Sequence, residues 1–345
     1  MFKKLFLLFV TLTTLGAWAS AQVQTAGVAF YNLENLFDTL PNNRYGKDIE
    51  YTPDGRNQWD AQKYANKLHN LAFAISNFDT GATPQGPAII GVSEIENRKV
   101  LEDLVAQPEL KKWNLQICHH DSPDQRGIDV GLLYNPELFT VENVTNHRLT
   151  AVPFATRDQM CVVGSLQGQR IAIIVNHWPS RLGGQLKSSP SREAAAELCM
   201  EIADSLWKTD PDMGVIIMGD LNDDPQDKSV ASVLGAKRKV EDITGPHGFY
   251  NPFYDILHEQ EIGTLTYKGD WNLFDQIILS GNLVTTPDNR WHLDMPIVMS
   301  FQFLRNSDIP GQGDPLRTFS RGEYLNGYSD HFPTQVLLVR DTQEK

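Results

Sequence analysis

Short apolar runs punctuate the chain at residues 28–31, 88–92, 130–134, 160–166, 171–175, 215–218, 274–279 and 332–339. Each is strand length, and most are apolar at successive rather than alternating positions, the pattern of strands buried on both faces. Helical spacing is rarer. Tyr64, Leu68, Leu71, Ile75 and Phe78 recur on one face behind Asp60, a capping residue, and predict a helix. Residues 100–106 predict a second. Ser189-Pro190, read as a cap followed by proline at the first helical position, predicts a third that runs to about Lys208. Residues 45–60 are polar around the turn Pro53-Asp54-Gly55 and read as a loop, while 281–317 are rich in turn residues and read as an insertion or rim loop. Helices interrupt the strands irregularly. A strict alternation would predict one parallel sheet; this mixture predicts an α/β protein with two mixed sheets packed face to face and helices outside. No repeat or linker divides the chain, so one domain is expected over residues 22–345.

The N-terminus departs from that pattern. Met1-Phe2-Lys3-Lys4 precedes an apolar run from Leu5 to about Trp18, then Ala19-Ser20-Ala21. A basic start, a short apolar core and a small-x-small end predict a secretory signal peptide over residues 1–21, cleaved before Gln22. The run is short for a membrane span and holds Thr11, Thr13 and Thr14. The mature chain is then expected outside the cytoplasm, periplasmic or secreted, with no stable membrane insertion. Net charge is −13; losing Lys3 and Lys4 leaves 28 basic residues against 43 acids, or −15. Such a surface repels polyanions at long range, which argues against a non-specific nucleic-acid coat but permits a local basic or metal-neutralised cleft. Cys118, Cys161 and Cys199 sit in partly apolar settings with no zinc-type spacing, and read as buried small hydrophobes.

Polar residues placed at the ends of the apolar runs carry the chemistry. Strand ends on one sheet edge converge in space. Gly219-Asp220-Leu221-Asn222 offers an acceptor and a donor two apart, suited to holding a water beside a phosphoryl oxygen, or equally to closing an Asx turn. Glu94 ends its run and suits a hard cation such as magnesium, which takes oxygen ligands; Glu96 better fits an acid at a helix start. Asn32 and Glu34 alternate after the first run and could share one face. Asp330-His331 precedes the last run, and Asp275 is placed to orient the His331 ring. In Asn176-His177-Trp178-Pro179-Ser180-Arg181, His177 could move a proton and Arg181 clamp a phosphate. Arg126 and Asp129 frame another strand start.

Taken in order, Asn-x-Glu, Ser-Glu, Asn-His, Gly-Asp-x-Asn, an Asp before an apolar strand, and Ser-Asp-His resemble the endonuclease/exonuclease/phosphatase superfamily from Val28 to Val339. The resemblance implies a four-layer αββα sandwich and metal-dependent phosphoester hydrolysis with Mg2+ or Mn2+. It implies metal ligation by Glu94, with Glu34 and Asp330 nearby, and water activation by Asp220 and His331 with Asp275 behind. It implies transition-state contacts from Asn32, Asn222 and His177. The expected activity is that of an exported endonuclease or phosphodiesterase. The alternatives are a phosphatase or phospholipase-like enzyme on a sugar, inositol or lipid headgroup phosphate and, less favoured, an inactive binding protein. The expected partner is a phosphoester substrate, nucleic acid included; no protein partner is implied.

Overall fold

In a computed structural model describing residues 22–42, 46–309 and 311–342, the chain forms sixteen strands and four α-helices. The expected signal peptide lies outside these residues. In chain order the strands are β1 (Gln22–Leu36), β2 (Ile89–Ile95), β3 (Gln116–His119), β4 (Asp129–Tyr134), β5 (Phe139–His147), β6 (Gln159–Leu166), β7 (Gln169–His177) and β8 (Gly214–Asp220). There follow β9 (Phe249–Tyr250), β10 (Leu265–Tyr267), β11 (Asp270–Asn272), β12 (Asp275–Ser280), β13 (His292–Val298), β14 (Phe319–Ser320), β15 (Glu323–Tyr324) and β16 (Thr334–Thr342). The helices are α1 (Ala61–Ser76), α2 (Arg98–Val105), α3 (Gln185–Thr209) and α4 (Tyr254–Gln260).

Two six-stranded sheets result, ordered β13-β16-β1-β2-β4-β3 and β5-β6-β7-β8-β12-β9. They are built alike. Each has one parallel pair at its centre, β1 with β2 and β7 with β8, flanked by antiparallel neighbours. Alternating side chains explain the continuous apolar runs. From β1, Val28 and Phe30 meet Ile173, Val175, Ile216, Met218 and Ile277 of the other sheet in a shared core. The intervening Ala29 and Tyr31 turn outward onto Leu68, Leu71 and Ile75 of α1 and Leu101 and Leu104 of α2. On the second sheet Ala172, Ile174, Val215 and Ile217 turn outward onto Ala195, Cys199, Ile202 and Trp207 of α3. This is the four-layer sandwich, with helices on both outer faces. Burying a side chain such as Leu71 or Ile174 from water contributes about 1.5–3 kcal/mol. Cys118, Cys161 and Cys199 are free and buried, and the Cys199 thiol donates to the Gln159 and Asn176 amide oxygens at 3.3 Å. No helix of the described residues is long and apolar enough to cross a membrane.

Local signals hold where chemistry fixes them. Asp60 caps α1, accepting from the Lys63 backbone N–H at 2.9 Å, and Asn97 caps α2 through Val100. One boundary differs from expectation. Helix α3 starts at Gln185, not at Ser189-Pro190, and Pro190 lies inside it. The buried Arg192 explains this. Its guanidinium binds the Gln185 and Ser180 carbonyls and the Ser188 hydroxyl, holding the extra turn that the proline alone would not favour. Residues 281–317 are not only rim: β13 pairs along β16 from His292–Val339 to Val298–Thr334. The polar edge strands β3 and β5 also have no counterpart among the apolar runs, because only one of their faces is covered.

Candidate active site

The topology delivers the polar groups to one edge. In the parallel pairs, the C-terminal ends of β1, β2, β7 and β8 point the same way, and the antiparallel β12 and β16 bring their N-terminal ends to meet them. The register is explicit: Asn32 is opposite Ser93, His177 opposite Asp220, Asp275 opposite Asp220, and Phe30 opposite Thr334, three residues past His331. Gly219 permits the close approach of β8 to β7, since a Cβ there would sit 2.2 Å from the Asn176 carbonyl oxygen.

At the centre is a chain of facing polar groups. Asp275, fully buried, receives His331 Nδ1 at 2.6 Å. His331 Nε2 lies 3.9 Å from Asp220 Oδ2, and that oxygen accepts from Asn32 Nδ2 at 3.0 Å. Ser329 fixes the segment, its hydroxyl donating to the Asn32 carbonyl at 2.7 Å and accepting from the His331 N–H at 3.1 Å. His177 Nε2 completes the ring, 3.6 Å from Asp220 Oδ2 and 4.0 Å from Glu94 Oε1. Asn222 sits in the left-handed region, φ 51°; its N–H binds Asp220 Oδ1 at 3.0 Å and its amide donates to the Trp178 carbonyl.

The two histidines are driven apart in basicity. Burial alone would lower the His331 pKa, but the Asp275 charge and hydrogen bond, with Asp220 and Asp330 adding to them, hold it well above its usual value. His177 is pushed well below, by burial first and then by the charges of Arg157, Arg126 and His331. Burial, opposed by His331 and reinforced by Asp275, raises the Asp220 carboxyl to about 7. Near neutral pH the edge therefore presents a protonated His331, a neutral His177 and an Asp220 poised to gain or lose a proton.

The acids expected to hold a metal stand around this chain. Glu94, at φ 59°, faces His177 on one side and Arg126 Nη2 at 3.4 Å on the other; the Asn35 N–H binds its second oxygen at 3.0 Å. Asp330 Oδ1 lies 4.0 Å from His331 Nε2, and its other oxygen receives Arg317 at 2.7 Å. Glu34 is turned elsewhere. Left-handed backbone at Glu34 and Asn35 (φ 48° and 51°) breaks the strand alternation, so Asn32 and Glu34 do not share a face. One Glu34 oxygen accepts from the Thr318 N–H and hydroxyl, both at 2.7 Å, and lies 3.6 Å from the buried Lys67; the other faces Arg317 at 3.4 Å. Burial and the Asp330 charge raise the Glu34 pKa against these partners. Carboxylate oxygens are what a hard cation takes, and Glu94 and Asp330 each present theirs partly open to solvent beside a half-exposed arginine. Asp220, Asp275 and His331 are near enough to one another to ligate an ion too, but the short Asp275–His331 bond already occupies that geometry.

Arg181 is not brought to the centre. Its guanidinium binds Asp227 at 2.6 Å, Asp224 at 3.2 Å and the Asn222 carbonyl at 2.9 Å, and stacks 4.4 Å over Phe274. It braces the loop after β8. Three functional neighbours escape the strand-end pattern. Arg157 ties the His177 and Trp178 carbonyls to Asp124. Lys67 lies on the apolar face of α1, three residues from Tyr64 and four from Leu71, and that misplaced charge was its available signal. Arg317 lies in the turn-rich segment, where nothing local marks it.

A sandwich of two mixed sheets with this constellation on one edge defines a phosphoesterase-type α/β fold. Residues 27–340 match the Endonuclease/Exonuclease/phosphatase family, and the chain belongs to that family. Among solved structures it is similar to a humanized TDP2 of D. rerio (12% identity, TM-score 0.56, 91% of this chain and 98% of that one). It is also similar to D. rerio TDP2 complexed with single strand DNA product (13%, 0.54, 91% and 98%). A third similar structure is a Bacteroides thetaiotaomicron mannosyl-6-phosphatase (17%, 0.55, 91% and 99%). At these identities the likeness establishes the fold. No curated protein sequence matches the chain.

Proposed function

We propose that the protein is a divalent-metal-dependent phosphoester hydrolase that acts outside the cytoplasm on a compact phosphorylated substrate. The observation that carries this reading is the Asp275–His331–Asp220–Asn32 chain set beside Glu94 on one sheet edge. Glu94 and Asp330 would hold Mg2+ or Mn2+, which when bound neutralises phosphoryl charge. Asp220 orients the attacking water and takes its proton, since its raised pKa makes it an effective base near neutral pH. His331, kept protonated by Asp275, donates from Nε2 to a phosphoryl oxygen. The neutral His177 donates one hydrogen bond toward the departing oxygen, and Asn32 fixes Asp220. Arg317, now paired with Glu34 and Asp330, is placed to meet phosphate once those acids are otherwise neutralised.

The cleft beside Glu34, about 430 Å³, is bounded by Tyr51, Arg56, Trp59, Arg317 and Phe319. That volume suits a sugar phosphate or a nucleotide terminus rather than a duplex groove. The phosphatase reading thereby moves ahead of the endonuclease one. Two similar structures, one complexed with a single strand DNA product and one a mannosyl-6-phosphatase, bracket the same choice. Export rests on the leader pattern at residues 1–21; a mature N-terminus at Gln22 in protein recovered from the cell envelope or medium would support it, and an intact Met1 would refute it. The activity test is Mg2+- or Mn2+-dependent hydrolysis of sugar phosphates, nucleotides, DNA and RNA side by side, with Glu94→Ala as blank. Turnover of small phosphoesters, abolished in the blank, is expected. Silence on every substrate together with absent metal binding would overturn the reading.

A further inference from the structure

In so acidic a chain, the cleft beside Glu34 is conspicuous for its arginines: Arg56, Arg317 and Arg321 line it against the single carboxylate of Glu34. Two of the three are answered. Arg56 pairs with Glu50, and Arg317 with Glu34 and Asp330. Arg321 is exposed and makes no ion pair among the described residues. Its backbone adds a second, independent sign. Arg321 and Gly322 form the two-residue turn of the β14–β15 hairpin, with φ 52° and 83°. A turn with both central residues left-handed favours Asn-Gly, because a long side chain with a Cβ is disfavoured there. An arginine held in that conformation at a ligand-sized cleft points to use rather than to turn formation. The hairpin is also braced. Phe319 packs on the buried Trp59 at 6.0 Å and on Tyr324 at 5.3 Å, and Lys63 of α1 lies 5.3 Å from the Tyr324 ring.

We propose that this cleft binds a second phosphoryl group of the substrate, carried on the same molecule as the phosphoester hydrolysed beside Glu94; the assignment rests on the phosphoester-hydrolase reading above. The two positions adjoin. Glu34 and Asn35 line the cleft, and the Asn35 N–H is bound to Glu94. Guanidinium forks match phosphate oxygens bidentately, and Arg321 has its fork unspent. The second phosphate could be the neighbour in a nucleotide or the distal one of a sugar bisphosphate.

The test compares kcat/KM for thymidine 3′,5′-bisphosphate against thymidine 5′-phosphate, and for glucose 1,6-bisphosphate against glucose 6-phosphate. Each ratio is measured in wild type, Arg321→Asn and Arg321→Lys. Asparagine suits the left-handed turn, so the fold is retained and an unchanged Tm checks this. The expected result is a preference for the doubly phosphorylated member of one pair, which identifies the source. That preference falls about ten-fold in Arg321→Asn, the loss of a charge-assisted contact, and less in Arg321→Lys. Calorimetry with thymidine 3′,5′-bisphosphate and glucose 1,6-bisphosphate in an Asp220→Asn background separates the two claims. Binding weakened about ten-fold by Arg321→Asn supports the cleft even if nothing is hydrolysed. Ratios and affinities all indifferent to Arg321→Asn would overturn it.

Discussion

The two sheets are built on the same plan, yet their edges are finished in opposite ways. The edge of the second sheet, with His177, Asp220 and Asp275, is closed: all three are buried. The edge of the first, with Glu34, Glu94 and Asp330, is strained and charged. Its strands leave regular geometry at Glu34, Asn35 and Glu94, all left-handed, and the ladder shifts register at both places. Left-handed backbone at a residue with a Cβ costs about 1–2 kcal/mol. Carboxylates there are answered by half-exposed arginines, Arg126 and Arg317, and in the case of Glu34 also by the buried Lys67. One edge fixes protons; the other keeps charge adjustable. His331 joins them, since it leaves the first sheet through β16 and binds Asp275 of the second.

That division predicts which defects extra metal can repair. The largest effect should come from the closed edge. His331→Ala is expected to lower kcat by about 10²–10⁴-fold, with Asp220→Asn at least as severe, and neither recovering at high Mn2+. Recovery by metal would break the comparison. Next comes Glu94→Gln. Its loss should appear as weakened metal dependence, shifted by more than the roughly 10–100-fold that losing even an outer partner of a metal ligand costs, and partly restored by titrating Mn2+. A kcat defect with unchanged metal dependence would place Glu94 in the proton chain instead.

How much of this was legible beforehand follows the same line. The closed edge was readable, because Asp220, Asp275 and His331 each abut an apolar run whose burial fixes where the strand ends. The two-sheet architecture was readable for the same reason. The strained edge was not. Side-chain alternation put Glu34 beside Asn32, and two left-handed residues undid it. Arg181 looked like a phosphate clamp in sequence, but Asp223, Asp224 and Asp227 arrive around it from a loop that no local pattern connects to it. Arg317 and Lys67 matter through partners some 250 to 280 residues away, a separation at which a single sequence carries no pairing signal.

Asp275→Asn sharpens the comparison through pH. In wild type the Asp275 charge raises both His331 and Asp220. On the proposed mechanism activity needs Asp220 ionised and His331 protonated, so the rate should climb as pH rises through about 7 and fall only well above the ordinary histidine range. Removing the charge lowers both values. Both limbs of the kcat profile should move to lower pH, with a rate loss at neutral pH of roughly 10-fold or more. Limbs that stay in place would mean the carboxylate only positions the ring.

The smallest effect tests whether the charged edge stores unfavourable energy even where no chemistry occurs. Glu96 lies two residues beyond Glu94 and is buried; one oxygen accepts the Asp38 N–H at 2.9 Å and the other has no hydrogen-bond partner among the described residues. Burial, outweighing that hydrogen bond, and the nearby Asp38, Asp48 and Asp129 charges raise its carboxyl to about 8. Unlike Glu94, it has no arginine partner among the described residues. The sign is that of a group favouring its neutral form in the fold. Below about pH 4.5, Glu96 is protonated folded or unfolded and contributes nothing. Between there and about 8 the unfolded chain releases the proton while the folded one keeps it, so this residue makes stability fall as pH rises. Glu96→Gln should remove that slope. Measured by urea unfolding without metal, the variant should gain about 1–3 kcal/mol on wild type between pH 4.5 and 8. A gain that does not grow with pH would mean that Glu96 is ionised in place, with the first edge balancing its charges as completely as the second.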